Sequence, residues 1–131
     1  MNEGLSPGAG HLFRCSSAER EAIVETLGEV LGEEPDVLFA YVHGSLVTER
    51  PFRDVDVGVY LVPGTEAGWE RRIRLAEALE ASISSVDLNA APPVDVRILN
   101  RAPLSFCYQV VLRGRLVFSR DEALRAEWVA D

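Results

Sequence analysis

The sequence predicts one α/β (α+β) domain, a mixed β-sheet with flanking helices in the order αββαβαβα. Two observations lead there. Three β-prone runs, 37–43, 55–62 and 94–99, are separated by segments of helical period or by Pro and Gly breaks. The chain of 131 residues is also long enough for one core and too short for two. Strands interleaved with helices in this way pack the helices on the faces of a sheet.

Residues 1–15 are Gly-rich and without period, which predicts a loose N-terminal arm before a domain at 16–131. Ser16-Ser17-Ala18-Glu19 has capping-box spacing. Behind it Ala22, Ile23, Thr26, Leu27, Val30 and Leu31 form one helical stripe that stops at Gly32. The first strand, 37–43, runs into Gly44-Ser45, and the second, 55–62, ends at Pro63-Gly64. Trp69, Ile73, Ala76, Leu79 and Ile83 mark an amphipathic second helix, with Trp69 expected in the core. Pro92-Pro93 precede the third strand. Pro103 suits a helix start, and Leu104, Cys107, Tyr108, Val111 and Leu112 share an expected core face ended by Gly114. A short strand, 116–118, and a helix from Asp121 complete the order.

Composition narrows the function. A formal net charge of −8 lacks the basic field of non-specific nucleic-acid binding. All 13 basic residues are arginine, so phosphate recognition falls to Arg, hydroxyls, backbone N–H groups or metal. The N-terminus has no basic region leading into an apolar one, and no apolar run nears the ~20 residues that span a bilayer. Cys15 and Cys107 stand far apart without metal-site spacing, and Cys107 falls on an apolar helix face as an inert thiol. The expected setting is cytoplasmic, with reduced thiols.

The chemistry concentrates in the stretch from His43 to Asp56. Side chains at i and i+2 of a strand share a face, so Asp54 and Asp56 project together while Val55, Val57 and Val59 pack behind. Paired carboxylates repel unless a cation or donor sits between them, and hard divalent ions favour such oxygen ligands together with substrate phosphates. Asp95 repeats the pattern within Val94-Asp95-Val96. Three converging carboxylates suffice to clamp metal on an in-line phosphoryl transfer. Gly44 lets a phosphate approach the backbone, and Ser45 offers a hydroxyl and an N–H.

Gly44-Ser45, then Asp54-Val55-Asp56 on the next strand and Asp95 on a third, resemble the DNA polymerase β-type nucleotidyltransferase superfamily. The run from Val94 to Phe118, VDVRILNRAPLSFCYQVVLRGRLVF, is similar to the minimal nucleotidyltransferases (MNT proteins), including antitoxins of HEPN/MNT toxin–antitoxin pairs. The likeness covers roughly residues 17 to 125. It implies a nucleotidyltransferase fold and transfer of AMP from ATP, with Mg²⁺ or Mn²⁺, to a tyrosine hydroxyl of a cognate HEPN toxin. Asp54, Asp56 and Asp95 take the catalytic and metal-binding positions, and Gly44 and Ser45 the nucleotide-binding ones. Two features depart from the pattern. Eight residues, Leu46 to Arg53, separate Ser45 from Asp54, where members usually place about ten. Arg53 also stands where a small polar residue is common.

Other readings stay open. Asp87, in its own Val-Asp-Leu context, rivals Asp95 as third acid. Arg53 and Arg50 can grip a triphosphate or be solvated turn residues. Arg97 shares a face with Asp95 and can bind phosphate or pair with the acids. His43 can touch a nucleotide, but a strand-end histidine is the simpler reading. At the level of function, an occluding module of the same fold and a transferase for a small hydroxylated antibiotic compete with the toxin-modifying enzyme.

Overall fold

The computed structural model describes residues 12–48, 50–65, 68–84 and 92–130. Its elements are α1 (Ser17–Gly32), β1 (Val37–His43), β2 (Val55–Leu61), α2 (Trp69–Ile83), β3 (Val94–Ile98), α3 (Leu104–Arg113), β4 (Arg115–Ser119) and α4 (Glu122–Ala130). Single 3-10 turns follow β1, at Gly44–Leu46, and β3, at Leu99–Arg101. The expected order αββαβαβα is the order found.

The sheet runs β3-β2-β1-β4. β1 is antiparallel to β2 and to β4, while β3 joins β2 in parallel after the α2 crossover, so the sheet is mixed. Strand alternation sends Val55, Val57, Val59 and Leu61 to one face, where they bury with Ile23, Leu27 and Leu31 of α1 and Leu75, Leu79 and Ile83 of α2. Phe39 and Tyr41 point to the other face and pack with Leu99, Cys107 and Val110, with Trp128 of α4 against them. Helices thus cover both faces. The capping box forms as the sequence predicts: Ser16 Oγ accepts from Glu19 N–H at 3.1 Å, and Glu19 accepts from Ser16 N–H at 2.7 Å.

The edge strand β3 is sealed by α2. Glu80 accepts the Val94 N–H at 2.8 Å and Arg72 Nε donates to the Val96 carbonyl at 2.9 Å, which occupies ladder groups that a bare edge would present. Asn100 reaches back to β2, its Oδ1 accepting from Leu61 N–H at 2.9 Å and its Nδ2 donating to Leu61 O at 2.8 Å.

Three details differ from the sequence reading. Phe13 lies within the segment expected as an arm, yet it is buried, stacks on Phe52 at 5.8 Å and forms a β-bridge with it. Trp69 and Ile73 are 67% and 49% exposed, because the first turn of α2 flanks the edge strand and Leu75 takes the core position instead. Tyr108 is 60% exposed, with Leu104 and Leu112 beside it on the outer face of α3; Cys107 and Val110 face inward. Among the described residues no helix is long and apolar enough to cross a membrane.

Candidate active site

β1 ends at His43, and the chain turns away through Gly44, whose φ of +81° is in the left-handed region. That turn lies against the start of β2, since His43 and Asp56 are register partners. A Cβ on Gly44 would overlap Oδ2 of Asp56, so the glycine is required both by backbone angle and by space. Ser45 is exposed beside it, its carbonyl accepting from Thr48 Oγ1 at 2.9 Å.

Asp56 and Asp95 are register partners in the parallel β2–β3 pair, so their side chains stand on the same face of neighbouring strands. Asp54 lies just before β2, half-buried like the other two. The electrostatics record their proximity. The Asp56 carboxyl is pushed up from 3.8 to about 7, first by burial, then by the charges of Asp54 and Asp95, with Arg97 opposing. Asp95 is faced by Arg97 Nε at 3.4 Å and Arg72 Nη2 at 3.9 Å. These arginines are the only cations at ion-pair distance from Asp95 among the described residues. Among the described residues no three acidic, Cys or His side chains close around one metal position. The donor set nevertheless suits a hard divalent ion: three carboxylate groups, one raised by burial and by the charges of the other two, beside Gly44, which carries no side chain.

His43 packs edge-on against Phe106 at 5.5 Å. Burial lowers its pKa against the pull of Asp95 and Asp54, and its buried Nε2 has no hydrogen-bond partner among the described residues. Arg53 and Arg50 are exposed in the turn before Asp54, the Arg50 carbonyl holding Arg20 Nη2 at 3.0 Å. Asp87 lies outside the described residues.

Sequence reasoning missed a neighbouring cavity of about 610 Å³, lined by Trp69 and Arg72 from α2, Arg97 from β3, Arg101 from the following turn, and Phe106 from α3. Arg97 lies over the Phe106 ring at 5.5 Å. An aromatic residue at a helical stripe position reads as core, and only its place beside an edge strand makes it a wall. A second cavity, of about 590 Å³, runs between α3 and α4 along Leu104, Tyr108, Leu112, Trp128 and Val129.

The comparisons with known proteins agree with this architecture. No curated protein sequence matches the chain. The solved complex of a tri-AMPylated Shewanella oneidensis HEPN toxin with its MNT antitoxin contains a similar chain, at 20% identity and a TM-score of 0.63, covering 84% of this chain and 80% of that one. A toxin–antitoxin structure with AMP-PNP matches at 22% identity and a TM-score of 0.61, over 76% of each chain. The MntA–HepT toxin–antitoxin crystal structure matches at 20% identity and a TM-score of 0.57, over 88% of this chain and 81% of that one. At these identities the likeness establishes the fold. The family model for polymerase beta nucleotidyltransferases matches residues 25–123, and the chain therefore belongs to that family.

Proposed function

We propose that this nucleotidyltransferase moves AMP from ATP to a hydroxyl, that of a tyrosine on a HEPN toxin, and so acts as an antitoxin. The observation that carries the reading is the meeting of Asp56 with Asp95 across two strands, beside Asp54 and the open Gly44 turn. Asp54, Asp56 and Asp95 would hold a divalent cation, Mg²⁺ or Mn²⁺, whose chemistry is to neutralise charge on the transferring phosphoryl group. Gly44 and Ser45 hold the β- and γ-phosphates through backbone N–H groups and the exposed hydroxyl, and Arg53 adds a guanidinium. The acceptor hydroxyl attacks the α-phosphorus, its proton passes to the Asp95 carboxylate, and pyrophosphate leaves on the opposite side.

The partner is supported by the fold likeness to antitoxin chains in toxin complexes, and by a surface that suits docking. Leu104, Tyr108 and Leu112 recur every four residues along α3, each more than half exposed. Such an unpaired apolar stripe fits an interface better than open water. The neighbour's tri-AMPylated toxin further suggests that transfer repeats on one acceptor.

The direct test is incubation with a candidate HEPN toxin, ATP and Mg²⁺, followed by intact mass of both. Adenylate units appearing on the partner are expected. A partner of unchanged mass, bound to this chain, would leave occlusion as the mode of silencing.

A further inference from the structure

We propose that the cavity formed by Trp69, Arg101, Phe106 and Arg97 binds the nucleotide already attached to the acceptor, making it an acceptor-side adenylate site for successive transfers. This inference rests on the AMP-transfer reading above. In-line displacement requires the attacking and leaving groups on opposite sides of the phosphorus. The Gly44-Ser45 turn follows β1, whereas the cavity lies along the outer edge of β3, with the acids of β2 and β3 between them. A triphosphate tail at the turn therefore directs the attacking hydroxyl from the β3 side.

The chemistry of the walls matches a nucleoside monophosphate. Three arginines, Arg72, Arg97 and Arg101, line the cavity on a chain whose net charge is −8. Two of them face Asp95, so an anion bound here sits next to the proposed reaction centre. Trp69, 67% exposed, offers an open indole face, and Phe106 a second ring. Bases stack on such rings whatever their sequence, while guanidinium groups take the phosphate. The volume of about 610 Å³ falls within the ~300–1,000 Å³ typical of small-molecule sites. A smaller hollow of about 190 Å³ links Trp69 and Arg72 to Asp95 itself. In each further round a ribose hydroxyl of the bound adenylate attacks the α-phosphorus of a fresh ATP. The new phosphodiester P–O bond forms as the bond to pyrophosphate breaks, and the hydroxyl proton goes to Asp95.

Two measurements test this. In the first, AMP is titrated in excess chelator, which silences metal-dependent binding at the acids, and tryptophan fluorescence is read. Saturable quenching is expected in the parent and is lost in Trp69→Phe, where Trp128 is the remaining indole. In the second, partner mass is followed with time. Trp69→Ala and Arg101→Ala are expected to add the first adenylate at the parent rate and the second about tenfold more slowly, a stacking-sized effect. Absence of quenching, or variants that extend like the parent, overturns the site. Variants that lose partner binding and the first transfer together assign the cavity to docking instead. A parent that adds no adenylate at all refutes the transfer reading, and the chelator titration then decides the nucleotide site alone.

Discussion

Asp56 shows how one residue can be unfavourable for the fold and useful for the site. Its carboxyl is raised to about 7 by burial and by Asp54 and Asp95. A raised acid favours the protonated folded state, so the penalty is absent below its unfolded value of 3.8, grows as pH rises, and is complete above about 7. Asp56→Asn should therefore stabilise the protein in chelator at pH 8 by about 1–2 kcal/mol, a figure discounted for partial exposure, and change nothing near pH 3.5. Thermal melts of parent and variant across that range provide the check; a variant equal to the parent at pH 8 would mean that neither burial nor the neighbouring charges penalise the Asp56 carboxylate. Asn100 is the opposite case, a side chain that is structural. Asn100→Ala leaves both Leu61 backbone groups without their partner, and should cost about 2 kcal/mol in urea unfolding. A loss under about 0.5 kcal/mol would show that solvent replaces the clamp.

Among the elements, α3 separates what the sequence could tell from what it could not. The apolar positions 104, 107, 108, 111 and 112 read as one core face, yet Leu104, Tyr108 and Leu112 face outward. Helical periodicity records that a face avoids water; it cannot say whether the same chain or another one covers it. The same limit hid Trp69, because a helix that flanks an edge strand keeps its stripe past the end of the core. By contrast α1 was legible to the residue, since its capping box and its Ile23, Leu27 and Leu31 stripe both act locally. The acids were legible for a related reason. Two-residue alternation fixes which face Asp56 and Asp95 take once their strands are known, whereas Asp54 stands just before β2, and the β2–β3 register that aligns Asp56 with Asp95 is a tertiary fact. Tyr108→Glu then discriminates between core and interface. An exposed site should change folding stability by no more than about 0.5 kcal/mol, and the variant should fail to co-purify with the HEPN partner. A loss of several kcal/mol would return Tyr108 to the core.

For the whole molecule, the two helical layers are unequal. α1 and α2 close one face of the sheet, while α3 and α4 cover the other over β1 and β2, and the acids of β2 and β3 are half-exposed. On the proposed reading the apolar stripe of α3 holds a partner and the acids modify it, and the two roles can be separated by mutation. Docking depends on shape and apolar contact, whereas phosphoryl transfer depends on the carboxylates. Asp56→Asn keeps the size of the side chain and removes charge from the site without touching Leu104, Tyr108 or Leu112. If the chain is an enzyme, this variant co-purifies with its partner but neither adds adenylate nor rescues the growth of cells expressing the toxin. If it acts by occlusion, rescue is undiminished, even when Asp54 and Asp95 are changed as well. Growth rescue scored alongside co-purification separates the two, and the expected result is binding retained with rescue lost. The charge relief at Asp56 makes the outcome readable, because a variant at least as stable as the parent cannot fail through misfolding.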